Sequence, residues 1–219
     1  MKKRDLLVLA SITMFYIGIM MGNTNKSAGT LFIISGPSGV GKTTLVEKVL
    51  QDYKDKLLIS KAVTYTTRTP RKGEVDGVDY YFLSKDEFEQ KVNEGFFIEW
   101  DQWADNYYGS GRNVLEEVER GYNYILILDR QGAVRVVQEY PDAVTIWISV
   151  PSINILKERL RKRGTESEEK LQKRLLIAKD EMGEENLNKW YRFHIKNLYL
   201  KQSLGELIQV LNEYISVEN

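Results

Sequence analysis

Apolar residues recur along this chain in two rhythms. Unbroken apolar runs, the mark of buried strands, occupy Thr30-Leu-Phe-Ile-Ile-Ser35, Tyr124 to Leu128 and Val144 to Val150. Apolar positions return at helical spacing in Thr44-Leu-Val-Glu-Lys-Val-Leu50 and in the closing amphipathic stretch Gln202 to Ile215. Strands alternating with helices predict an α/β fold with a parallel sheet core covered on both faces. A strand over Leu57 to Thr64 leads into the polar, proline-broken segment Thr66 to Gly77, and Tyr80 to Leu83 reads as a short strand. Ser84-Lys-Asp-Glu87 has the S-x-x-E form of a capping box and starts a helix that stops near Gly95. Phe96 to Trp103 and Asn106 to Gly109 predict strands separated by a turn, and Arg112 to Arg120 a helix ended by Gly121. Residues 63–109 therefore crowd short strands and tyrosines together, and they read as an insertion on one edge of the main sheet. Residues 154–182 read as helical and rich in arginine, interrupted by Arg163-Gly-Thr165.

Composition narrows the chemistry more than the fold. The 219 residues suit one domain with a full core, and 42% apolar with 28% charged residues is ordinary for a globular protein. The 31 basic and 31 acidic residues cancel, which leaves no overall electrostatic case for a nucleic acid partner. The absence of cysteine excludes disulfides, thiolate metal sites and thiol nucleophiles. The single histidine, His194, excludes a histidine-rich metal site, and its place in an apolar-polar alternation points to a structural role. At the N-terminus, Lys2, Lys3 and Arg4 precede an apolar stretch from Leu6 to Met21. Residues 1–28 read as an extension with three open interpretations: an upstream start with translation beginning at Met20 or Met21, a short membrane anchor, or a signal-like segment. Membrane contact follows only if that segment is retained, and a cytoplasmic location is the expectation. Nothing in the chain bears on oligomeric state.

The first candidate chemistry lies between the first strand and the first helix. Gly36-Pro-Ser-Gly-Val-Gly-Lys-Thr43 completes the phosphate-loop pattern G-x-x-x-x-G-K-[ST]. Glycines let successive N–H groups turn inward around phosphate, and a helix N-terminus adds positive partial charge. Gly36, Pro37, Ser38, Gly39, Val40, Gly41, Lys42, Thr43 and Thr44 are thus the candidate triphosphate site. Lys42 would reach the terminal phosphates and the Thr43 hydroxyl a magnesium ion. Phosphoryl transfer needs charge neutralisation and alignment, so arginines matter next. Arg68 and Arg71 lie in a short loop stiffened by Pro70, and Arg159, Arg163 and Arg174 surround the glycine turn near residue 164.

Taken with GPSGVGKTT, the motifs TTRTPRKGEVDGVDYYF, FIEW, NYYGS and ERLRKRGTESEEKLQKRL give the chain a close resemblance to guanylate kinases from about Thr30 to the last helix. The resemblance implies a P-loop three-layer fold over 29–216, with a small mixed α/β GMP-binding insertion and a helical lid. It implies transfer of phosphate from ATP to GMP, and also to dGMP, with magnesium. By position, Arg68, Arg71, Tyr80 and Tyr108 match residues that hold the GMP phosphate, and Thr64 and Ser110 match hydroxyl residues flanking base and phosphate. Glu99 matches the carboxylate that accepts from guanine N1–H and N2–H, a donor pair that adenine lacks. Arg159, Arg163 and Arg174 match lid arginines that close over ATP. Lys42, Arg68, Arg163 and Arg174 are then the candidate catalytic residues, and Asp129 a candidate to reach magnesium through water.

Two departures qualify the resemblance. The family's D-x-D at the end of the strand before its Q-G pair is Ile127-Leu-Asp129 here, and its N-D-D-L is Asn197-Leu-Tyr-Leu200. Asn197 remains placed near the adenine. The missing acid at Ile127 leaves open an alternative, a catalytically weakened module that binds a nucleotide or a phosphorylated partner.

Overall fold

The computed structural model describes residues 28–103, 105–163 and 167–215, so the extension anticipated over 1–28 lies, but for Ala28, outside the described residues. β1 (Leu31–Ser35) is buried along its whole length, as a central parallel strand must be. Its alternate residues feed two layers. Phe32 and Ile34 pack with Val46, Val49, Leu207 and Leu211, while Leu31 and Ile33 pack with Val118, Leu126, Ala133 and Val136. One apolar strand therefore supplies both cores of a three-layer arrangement.

The main sheet has five strands, all parallel, in the order β2 (Ile59–Lys61), β7 (Asn123–Ile127), β1, β8 (Val144–Ser149) and β9 (Phe193–Lys196). The helices packed on it are α1 (Lys42–Leu57), α3 (Asn113–Glu119), α4 (Arg130–Glu139), α5 (Ile153–Arg163), α6 (Glu168–Asn188) and α7 (Leu200–Tyr214). Because β1 sits between β7 and β8, the loop after it opens at the carboxyl edge of the sheet, where α/β folds bind ligands. The parallel-core α/β architecture expected from the periodicity is the observed one.

A second, mixed sheet runs β4 (Tyr80–Phe82), β3 (Thr64–Thr66), β6 (Asn106–Gly111) and β5 (Phe97–Trp103). Helix α2 (Lys85–Asn93) covers it, and its Ser84–Glu87 capping box forms as the sequence indicates. Phe88 of α2 is fully buried and stacks on Phe97 and Tyr107, while Tyr65 stacks on Tyr81. Aromatic area stands in here for the aliphatic core that so small a sheet cannot build.

Several boundaries differ from the periodicity. The single strand expected over Leu57 to Thr64 divides: Leu57 ends α1, Leu58 caps it in the left-handed region, and β2 and β3 enter different sheets. The apolar pattern is continuous across the division because both strands are partly covered. The insertion's last strand continues to Gly111, and α6 continues to Asn188 rather than ending near Met182. Helix α4 and strand β9 are additional elements.

Buried ionic contacts tie α6 to the sheet. Glu185, 1% exposed, accepts from Arg130 Nη1 at 2.7 Å, from the Tyr191 N–H at 3.0 Å, and pairs with His194 Nε2 at 2.8 Å. His194 thus holds the base of α6 to β9. Replacing Glu185 by Leu leaves Arg130 with only the outer Glu184 at 3.5 Å. A loss of about 3 kcal/mol in unfolding free energy by urea titration is expected, the lower end for a broken buried pair.

Candidate active site

The loop after β1 is shaped by close backbone contact. Gly36 has φ 143°, and a Cβ there would lie 2.0 Å from the Ile148 carbonyl oxygen, so no larger residue fits. Pro37, Ser38, Gly39, Val40 and Gly41 carry the chain round to the first turn of α1, where Thr43 and Thr44 are exposed. Lys42 turns back into the loop and donates to Gly36 O at 2.5 Å and Pro37 O at 3.2 Å. Burial of the ammonium pulls its pKa down to about 8, against the opposing pull of Glu181 and Asp129. Glu181, on the inner face of α6, is pushed up by burial while Lys42 pulls it down.

Helices α5 and α6 reach this loop. Arg159 of α5 donates from Nη1 to Val40 O at 3.0 Å and from Nη2 to Asn197 O at 2.7 Å. Arg174 of α6 donates to Ser38 Oγ at 2.9 Å. Arg163 is the last residue of α5, and its side chain lies outside the described residues, as does the turn 164–166. Asn197 is buried, and its amide donates to Val40 O at 2.8 Å. One of the two side-chain N–H groups is thus engaged in holding the loop, which leaves the other N–H and Oδ1.

A second cluster forms on the mixed sheet. Arg68 donates to Glu74 Oε1 at 2.9 Å and to Thr69 O at 2.7 Å, and its guanidinium lies 5.4 Å from the Tyr80 ring centroid. Tyr80 meets Tyr108 edge-on, and burial raises its phenol pKa, so it remains a neutral hydrogen-bond donor. Arg71 is exposed, and its N–H donates to Glu74 Oε2 at 2.7 Å. Burial opposes ionisation of Glu74, but the Arg71 N–H and the Arg68 guanidinium outweigh it and hold the carboxyl below its usual range. Glu74 therefore holds the Arg68 guanidinium and the Arg71 backbone together.

Glu99 stands between these clusters. It is 7% exposed and accepts from Ser110 Oγ at 2.7 Å. Ser110 also lines a cleft at the seam of the two sheets with Thr64, Lys61 and Tyr81. Burial pushes the Glu99 carboxyl up to about 7, opposed by the Ser110 hydrogen bond and reinforced by Asp129. Asp129 caps α4 by accepting from the Gly132 N–H at 2.7 Å. A Cβ on Gly132 would lie 3.1 Å from Glu99 Oε2 and 3.2 Å from Asp129 Oδ1. The first turn of α4 thus lies against the Glu99 carboxylate, and the charge of Asp129 opposes the fall in the Lys42 pKa. Gly132→Ala should raise KM for the acceptor about tenfold and leave KM for ATP unchanged in steady-state assays. That is less than the roughly 10²-fold cost of a full-ångström misplacement.

Comparison with known proteins places the chain. The family model for guanylate kinase matches residues 28–214. The chain belongs to the guanylate kinase family. It is 44% identical over 158 residues to the guanylate kinase of Oceanobacillus iheyensis, covering 72% of this chain and 75% of that protein. It is 42% identical over 188 residues to that of Symbiobacterium thermophilum, covering 85% and 86%. A crystal structure of guanylate kinase from Anaplasma phagocytophilum superposes with TM-score 0.68 at 30% identity, over 87% of this chain and 89% of that one. The chain is accordingly a nucleotide kinase, a phosphotransferase, by family.

Some residues of this guanylate kinase site carry no motif that would reveal them. Glu74 could be found from its spacing after Arg68 and Arg71. Gly132, Glu181 and Glu185 acquire their roles only when α4 and α6 pack. Among the described residues, no group of three or more His, Cys, Asp or Glu is arranged to hold a metal, and no helix is long and apolar enough to cross a membrane.

Proposed function

We propose that the protein transfers the terminal phosphoryl group of ATP to GMP, giving ADP and GDP, with dGMP as a further acceptor. The observation that carries this reading is the buried Glu99, which accepts from Ser110 and lies against the first turn of α4. A carboxylate enclosed this way, with its charge disfavoured by burial, finds compensation in two adjacent N–H donors, and guanine N1 and N2 provide them.

In this reading Arg68, Arg71, Tyr80 and Tyr108 bind the acceptor phosphate, with Thr64 and Ser110 beside the base. Residues 63–109 form the acceptor-binding insertion and 154–182 the lid of a domain over 29–216. The phosphate loop with Lys42, Thr43, Thr44 and Arg159 binds ATP, and Arg163 and Arg174 close over its phosphates. An oxygen of the GMP phosphate attacks the γ-phosphorus in line, the bond from γ-phosphorus to its bridging oxygen breaks, and ADP leaves. The GMP phosphate is already a competent nucleophile, so no general base is needed. Lid closure keeps water from competing for the phosphoryl group.

The donor set suits magnesium, a hard cation that keeps water and phosphate oxygens as ligands. Thr43 Oγ1 would hold it directly and Asp129 through water, and when bound it supplies positive charge between the donor phosphates. Dependence on ATP favours the cytoplasm as its location.

One feature favours the second reading, a weakened module for a phosphorylated partner. Ile127 occupies the position of the family's first acid, and its side chain packs against the apolar core. The Arg174–Ser38 and Lys42 contacts with the phosphate loop weigh toward catalysis. A coupled ADP-release assay decides between them. GMP-dependent turnover with ATP and magnesium is expected, and its absence in folded protein that binds a phosphopeptide by calorimetry supports the module.

A further inference from the structure

The lid and the insertion meet where Trp103 packs against Arg174. Trp103, at the end of β5, presents an indole that is 57% exposed. Arg174 lies over that ring, its guanidinium carbon 5.7 Å from the centroid, while the same group donates to Ser38 Oγ at 2.9 Å. The arginine thus spans the gap between phosphate loop and acceptor insertion, the gap the transferred group must cross.

The two insertion–arginine contacts differ in kind. Glu74 grips Arg68 along its edge and occupies N–H donors. An aromatic ring grips a guanidinium by its face, and every N–H donor lies in the guanidinium plane. A face contact therefore fixes position without using the donors that phosphate oxygens need, whereas a carboxylate at the same place would compete with phosphate.

We propose that Trp103 is a positioning residue for phosphoryl transfer, an aromatic rest on the insertion that holds Arg174 at the phosphate loop. This role rests on the reading of Arg174 as a phosphate-binding lid residue. It makes the arginine's placement depend on where the insertion stands, so the transferring geometry completes only when lid and acceptor site approach together.

A double-mutant cycle tests the role, and the exposure of Trp103 keeps the variants folded. Trp103→Ala should lower kcat roughly 3- to 10-fold, the range of a cation–π contact, with KM for GMP little changed. Trp103→Phe should restore most of the rate. In an Arg174→Ala background, Trp103→Ala should cost less than about twofold. A wild-type kcat in Trp103→Ala, or the same fold-loss with and without Arg174, overturns the proposal. A second arm does not depend on turnover. The emission of Trp103, taken as the difference between wild type and Trp103→Phe, should shift when Arg174 becomes Ala. An unchanged difference spectrum also overturns it. Absence of wild-type GMP turnover would instead sink the phosphotransfer reading, while the spectral arm still registers the contact.

Discussion

Lys42→Met should lower kcat/KM for ATP about 10³-fold while raising the melting temperature. The loss follows from removing a preorganised cation at the donor phosphates, an effect of about 4 kcal/mol in transition-state stabilisation. The gain follows from the loop itself. Burial holds the Lys42 pKa at about 8, below its ordinary 10.5, so the charged form is disfavoured in the folded chain. A depressed lysine pKa contributes stability that is present above about 10.5 and is lost as pH falls through 8. At pH 7 the ammonium therefore costs stability, and methionine, of similar length, removes that cost. Bound triphosphate should draw the pKa back up, so ATP affinity measured by calorimetry weakens by up to tenfold per pH unit above about 8. Calorimetric melting and the coupled assay on the same preparation check both halves.

Glu99→Gln should lower kcat/KM for GMP roughly 10²- to 10³-fold and narrow the preference for GMP over AMP. The amide retains one acceptor but turns an N–H toward a guanine N–H, leaving buried donors facing each other. The pH profile carries a sharper signature. Glu99 titrates at about 7, so below that pH one of its acceptors becomes a hydroxyl donor. Wild-type kcat/KM for GMP should fall by up to tenfold per unit below 7. The GMP phosphate titrates near pH 6 as well, and the Glu99→Gln profile isolates that contribution because it retains only the phosphate step. Stability runs the other way. A carboxyl raised above its unfolded value contributes stability that is fully present below about 4.5 and lost as pH rises through 7. The displacement corresponds to roughly 3 kcal/mol, so Glu99→Gln should unfold at higher urea than wild type above pH 7. Lys42 and Glu99 share this logic: burial disfavours the charged form of each, and substrate groups of complementary character would favour it again.

How much of this was readable before the fold depends on where each residue's partners lie. The phosphate loop is legible because its residues are contiguous and flanked by a strand and a helix of unmistakable period. The capping box of α2 is legible for the same reason. Glu99 is not, since a lone carboxylate beside Trp100 reads as surface until Ser110 and the α4 turn enclose it. Its role came from resemblance rather than from pattern. Helix α4 is only ten residues long, and its buried face begins at Gly132, which lies against Glu99 and is followed by Ala133 and Val136. The division between β2 and β3 escapes it because hydrophobicity does not register which of two sheets a strand joins.

That division has a consequence for how acceptor preference can change. The chain enters the mixed sheet along β3 and leaves it along β6, and these two strands are antiparallel neighbours, with Tyr65 opposite Gly109 and Thr66 opposite Tyr108. The chain therefore enters and leaves residues 63–109 through a single two-stranded stem, while Ile98 and the Asp101–Arg135 pair pack the segment against α4 and the main core. A segment with such a stem lends itself to exchange as a cassette: strands, aromatic packing, Arg68 and Arg71 would travel together while the five-stranded sheet keeps its own connections. New acceptors can be sampled by replacing the cassette, provided the replacement still offers α4 a side chain that tolerates Gly132 at van der Waals distance.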